Sequence, residues 1–144
     1  MKRAMVLFCA FCLTSIVPFP VQADDTVRDG VFVHISHGSD DPHRLLMALN
    51  MAKIMAADHD VLVYIDIKGV DAVLKDSPDI TYSHFPSSRT QFSALLNKGA
   101  TLMVCAGCLK AAGKSREDVA KGIQIADKKA FFNFTKGRIL TLDY

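Results

Sequence analysis

"ATLMVCAGCLKAAG", Ala100 to Gly113, is the stretch from which the rest of the chain can be read. An apolar block, Ala100 to Ala106, runs without a turn into "CLKAAG", which suits a helix and ends on a glycine. A strand that feeds directly into a helix is the unit of an α/β sheet, and the flanking segments repeat it. Upstream, Gly30 to Ser36 ("GVFVHIS") is nearly continuous apolar and β-branched. The following "HGSDDPH" offers Asp41 as a cap and Pro42 as a first helical position. The helix His43 to Ala56 gathers Leu45, Ala48, Leu49, Ala52 and Met55 on one face, which Met47 and Met51 widen as core filler. Asp60 to Ile67 ("DVLVYIDI") is apolar on both faces, as an interior parallel strand is.

An irregular stretch rich in Asp, Ser and Pro then leads to a helix over Ser88 to Asn97, stopped at Gly99. Beyond Gly113, Ser115 with Asp118 three residues on marks a capped turn, and "GIQIA" (Gly122 to Ala126) a short strand. "KKAFFNF" (Lys128 to Phe134) is a last helix and Arg138 to Leu142 a closing strand. These elements predict a single three-layer α/β domain, a mostly parallel sheet of about five strands with helices on both faces.

At the N-terminus, Lys2 and Arg3 precede an apolar run from Ala4 to Val17, then Pro18, Pro20 and the small-residue end "VQA". That pattern predicts a signal peptide over residues 1–23, export to the periplasm, and a mature domain over residues 24–144. The run is shorter than the roughly 20 apolar residues that span a bilayer, so no membrane attachment is expected after cleavage. Removing Lys2 and Arg3 leaves 15 of the 17 basic residues against 15 acidic ones. A formally neutral chain with scattered charge gives no electrostatic case for nucleic acid or an anionic membrane.

Cys9 and Cys12 fall inside the signal segment, so Cys105 and Cys108 are the only thiols of the mature chain. A C-x-x-C spacing admits half of a metal site, a dithiol/disulfide pair, or a thiolate that carries sulfur. In open parallel sheets function collects at the carboxyl ends of the strands. That rule puts His37 after the first strand, Asp66 and Lys68 after the second and Cys105 after the third, on one rim. A cysteine entering a helix meets unpaired N–H groups that favour its thiolate, and Gly107 eases the entry. His37, beside Gly38 in a loop, is the candidate proton donor or acceptor near that thiolate. His34 reads as a satisfied core or interface histidine, and His43, His59 and His84 as surface residues. No second C-x-x-C strengthens zinc, and neither a G-x-S-x-G elbow nor a P-loop is present.

"HGSDDPHRLLMALNMAKIMA", "DVLVYIDIKGV" and "ATLMVCAGCLKAAG", in that order, resemble the DsrE/DsrF-like family, whose fold is also called YchN-like. The resemblance covers about Gly30 to Asp143. It implies a small α/β sandwich assembled as a homotrimer or homohexamer, with sulfur carried as a persulfide on a cysteine at the end of a central strand. In such members the reactive cysteine precedes a helix ending in a glycine eight residues later, a spacing that Cys105 and Gly113 match. Cys108 is the additional thiol of a C-x-x-C subset. The sulfur-relay members are cytoplasmic, whereas this chain reads as exported.

The expectation is therefore a periplasmic sulfur-handling protein, carrier or sulfurtransferase-like, with Cys105, Cys108 and His37 as its catalytic residues. Cys105 accepts the sulfur, Cys108 resolves or protects it, and His37 shapes the proton environment. The implied partner is a sulfur-donor or sulfur-acceptor protein or a small sulfur compound, and no cofactor or metal is called for. The alternatives are a metal-binding protein using the Cys105/Cys108 pair, a dithiol-disulfide oxidoreductase, and a structural oligomer with incidental cysteines.

Overall fold

Each apolar block becomes a strand in the computed structural model, which describes residues 27–144. The expected signal segment, 1–23, lies outside the described residues. The elements are β1 (Gly30–Ile35), α1 (Pro42–Met55), β2 (Asp60–Ile65), α2 (Ser88–Asn97), β3 (Thr101–Val104), α3 (Ala106–Ala111), β4 (Gln124–Ile125), α4 (Lys128–Phe132) and β5 (Ile139–Asp143). The strands form one five-stranded sheet in the order β4-β3-β2-β1-β5, every neighbouring pair parallel. All carboxyl ends therefore lie on one rim, as expected of an α/β domain of this kind. No described helix is long and apolar enough to cross a membrane.

Alternation along the strands divides their side chains between two unlike faces. Val31, Val33, Ile35, Val63, Ile65, Leu102 and Val104 join Leu45, Leu49 and Leu95 of α1 and α2 in the main core. The alternate positions, including Phe32, His34 and Tyr64, form the other face. There Phe131 of α4 packs against Phe32 and Tyr64, with ring centroids 5.2 and 5.5 Å apart.

The start of α1 follows its sequence signals, with Pro42 at the first turn and the Asp41 carboxylate accepting from the Arg44 N–H at 3.0 Å. Leu45, Ala48, Leu49 and Ala52 are buried as expected, but Leu46 rather than Met47 widens that face. Leu46 is buried and Met47 is 37% exposed, because α1 packs against α2 as well as the sheet. Gln91 of α2 reaches the Leu46 carbonyl at 3.1 Å on that second side.

The second strand ends at Ile65, two residues earlier than predicted, and Ile67–Val73 forms a 3-10 helix where an irregular stretch was expected. Ile67 takes a left-handed φ of +45°, costly for a β-branched residue. The turn holds because the N–H groups of Lys68 and Gly69 both bond to the Ser36 carbonyl at 3.2 Å, tying it to the end of β1. A Cβ on Gly69 would stand 2.9 Å from the Ile35 carbonyl oxygen, so this approach requires glycine. At the end of α3, Gly113 has a φ of +68°. The Gly113 and Lys114 N–H groups bond back to the carbonyls of Lys110 and Leu109, both at 3.0 Å, in a Schellman stop.

Candidate functional site

The rim after β3 is built around one sulfur. Cys105 follows Val104 at the strand end, and its N–H bonds to the Ile65 carbonyl at 2.9 Å, anchoring it to β2. Its Sγ accepts from the Cys108 N–H at 3.3 Å, serving as the cap of α3. Gly107 does not need its freedom for the entry, since its backbone is not left-handed. A Cβ there would meet only Cys105 Sγ, at 3.9 Å, so the glycine leaves that side of the sulfur uncovered.

Register brings in Tyr64, a residue that reading the sequence did not single out. It lies opposite Met103 on β3 and opposite His34 on β1. Two residues past Met103 on the same face comes Cys105, whose thiol the Tyr64 hydroxyl makes more acidic. Burial works to raise the Cys105 pKa. Donation from Tyr64, the Cys108 N–H and thiol, and the Gly107 N–H outweighs it and holds the thiol below its ordinary value. Cys108 moves the other way. Its contact with the Ile67 N–H lowers its pKa, but its bond to Cys105, burial and the negative charge of Cys105 and Asp66 together raise it. Both cysteines are free thiols. The pair is thus unequal, Cys105 the more acidic thiol and Cys108 the less acidic, joined by the Cys108 N–H that bonds to the Cys105 sulfur. Burial first, then the neighbouring Cys105, pushes the Tyr64 hydroxyl well up, so it remains a donor.

Beside this group, His34 is held between two carboxylates, with Nε2 2.9 Å from Asp66 Oδ1 and Nδ1 2.5 Å from Asp143 Oδ1. It is the satisfied histidine that the sequence suggested, yet it stands on the face that carries Tyr64. Burial works to lower its pKa, and the two carboxylates raise it above the ordinary value. A raised histidine contributes stability that is full below the unfolded value of about 6.5 and is lost as pH rises through the folded one. Unfolding free energy measured between pH 6 and 8 is therefore expected to fall with pH, and Asp143→Asn to flatten that slope.

His37 is placed differently from the expectation. Its Nδ1 lies 2.9 Å from Asp40 Oδ2 and its Nε2 accepts from Arg44 Nη1 at 3.0 Å, so both ring nitrogens are engaged within its own loop and the start of α1. His37 is not among the leading groups that set the acidity of either thiol. Asp40 is held at about 2, chiefly by the Gly38 N–H against burial, then by His37. The structure brings Cys105 and Cys108 together and leaves His37 as a brace of the adjoining loop. Among the described residues no group of three or more His, Cys, Asp or Glu side chains is placed to hold a metal ion.

Fold and site together define a small parallel α/β protein with an unequal thiol pair at the carboxyl rim of its sheet. The chain belongs to the DsrE/DsrF-like family, whose profile matches residues 29–138. It is similar in fold to the ychN protein from E. coli, known from a crystal structure, with a TM-score of 0.59 at 14% identity over 81% of this chain and 99% of that one. It is also similar to MTH1491 from Methanobacterium thermoautotrophicum, a protein of unknown function. There the TM-score is 0.53 at 18% identity, over 78% of this chain and 98% of that one. No curated protein matches in sequence.

Proposed function

We propose that this is a sulfur-handling protein in which the Cys105 thiolate accepts sulfane sulfur as a persulfide. The family is linked to sulfur relay. The observation that carries the reading is the unequal pair, a thiol lowered by Tyr64 and backbone N–H groups beside one that is raised. A carrier needs one nucleophile at neutral pH, and a second thiol that stays protonated until the first is loaded.

In the loading step the Cys105 thiolate attacks the outer sulfur of a donor R–S–SH. The donor S–S bond breaks, the electron pair leaves with R–S⁻, and Cys105–S–SH forms. In the resolving step Cys108, having given up its proton, attacks the inner sulfur of that persulfide. The S–SH bond breaks, HS⁻ leaves, and a Cys105–Cys108 disulfide forms, the two thiols oxidised as the sulfane sulfur is reduced. The hydrogen bond between the two cysteines also suits a dithiol-disulfide oxidoreductase. Turnover of a disulfide substrate with no sulfur found on Cys105 would favour that alternative.

Peptide mass spectrometry after treatment with excess polysulfide tests the carrier directly. One extra sulfur on Cys105 is expected, and an unmodified Cys105 overturns the reading. Its chemical basis is tested by alkylation against pH. The midpoint for Cys105 is expected below that of an ordinary thiol, and Tyr64→Phe is expected to move it up. An unmoved midpoint would show that the hydroxyl does not bond the thiolate.

Export and assembly belong to the same proposal. Periplasmic protein is expected to begin at Asp24, read by N-terminal sequencing. The exposed Ile139 and Leu140 on the edge strand β5, and the exposed Phe132 on α4, support a homotrimer or homohexamer, which light scattering measures.

A further inference from the structure

Two carboxylates stand on the face of the sheet that carries the thiol pair. Asp66, just past the end of β2, acts on Cys108 and on Tyr64, and Asp143 stands across His34 from it. Even a protonated His34 supplies one positive charge against two carboxylates. The neighbouring lysines do not offset this. Lys68 is drawn to Asp40, Nζ to Oδ2 3.6 Å, and Lys110 is exposed on α3, about 200° around the helix from Cys108. The remaining wall is aromatic, Tyr64 flanked by Phe32 and Phe131, a surface that suits a polarizable sulfur without asking it for charge.

We propose that Cys105 takes sulfur from small organic hydropersulfides whose substituent is uncharged or cationic, and discriminates against thiosulfate and carboxylated donors, because Asp66, next in the chain to the Ile65 carbonyl that anchors Cys105, stands beside its approach with Asp143 behind it across His34. This rests on the persulfide reading above and adds the class of donor to it. The leaving R–S⁻ develops negative charge beside the carboxylates. A cationic substituent compensates for that charge, and a carboxylate or sulfonate compounds it. No oxidant is required, since the sulfane sulfur passes from one thiol sulfur to another.

The test uses the full mature chain with both thiols reduced. Aminoethyl, hydroxyethyl and carboxyethyl hydropersulfides and thiosulfate are compared by the rate at which sulfur appears on Cys105. The expected order is aminoethyl, hydroxyethyl, carboxyethyl, thiosulfate, with about tenfold between the first and third, shrinking in about 1 M salt. Asp66→Asn combined with Asp143→Asn is expected to compress the same order. As a measurement on the unaltered protein, a cationic aminoethyl methanethiosulfonate is expected to modify Cys105 faster than the anionic sulfonatoethyl reagent. Equal or faster loading by the carboxylated donor overturns the charge selection and leaves the persulfide reading standing. If no donor loads Cys105 while the methanethiosulfonates keep their order, the persulfide reading falls and the charge selection of the thiol stands.

Discussion

Cys105→Ser is expected to abolish sulfur uptake altogether, whereas Cys108→Ser loads normally and holds its sulfur longer. The asymmetry follows from the site. The sulfur that accepts from the Cys108 N–H and faces the Tyr64 hydroxyl is the one stabilised as an anion. A serine hydroxyl cannot replace it, because an alcohol does not ionise near neutral pH and forms no persulfide. Cys108 enters only afterwards, and without it the internal attack that expels HS⁻ is lost. The Cys108 N–H that caps onto Cys105 is a backbone group and survives the substitution. Peptide mass spectrometry measures the loading, and a sulfide probe measures the release. Equal sulfide release from the Cys108→Ser variant and the unaltered chain would remove the resolving role.

The other large effect expected is on stability. Leu102→Ala is expected to cost about 2–5 kcal/mol, as truncation of a wholly buried leucine does when its surroundings relax only in part. Leu102 lies inside β3 opposite Val63, on the face that α1 and α2 cover, with none of its surface exposed. For a domain of this size the loss corresponds to a fall in Tm of roughly 10 °C or more. Met47→Ala is the control. That side chain is 37% exposed on the outer side of α1, and its loss is expected to cost well under 1 kcal/mol. Thermal unfolding of the two variants in one buffer measures the contrast, and equal Tm values would contradict the assigned core.

His37 and Tyr64 differ in how far their surroundings can be read from nearby residues. His37 drew attention because it follows the first strand beside a glycine. Its partners, Asp40 three residues away and Arg44 seven away, are local, and the "SDD" before α1 already supplied a carboxylate within reach. Tyr64 left a fainter signal, the one aromatic with a polar tip in an otherwise aliphatic strand, two residues before Asp66 and so on its face if the strand continues.

Local signals along the chain place the five strands and four α-helices, the start of α1, and two thiols at a strand end before a glycine-stopped helix. Asp41 with Pro42, the Ser115–Asp118 capping box and Gly113 act within a few residues, through backbone groups whose partners are near in the chain. What surrounds the sulfur depends instead on contacts between distant strands. The parallel register aligns His34, Tyr64 and Met103 across three strands, and Asp143 reaches His34 from 109 residues away. Register is set by packing the whole sheet against its helices, and a slip of one residue would turn Tyr64 away from Cys105 into the aliphatic core.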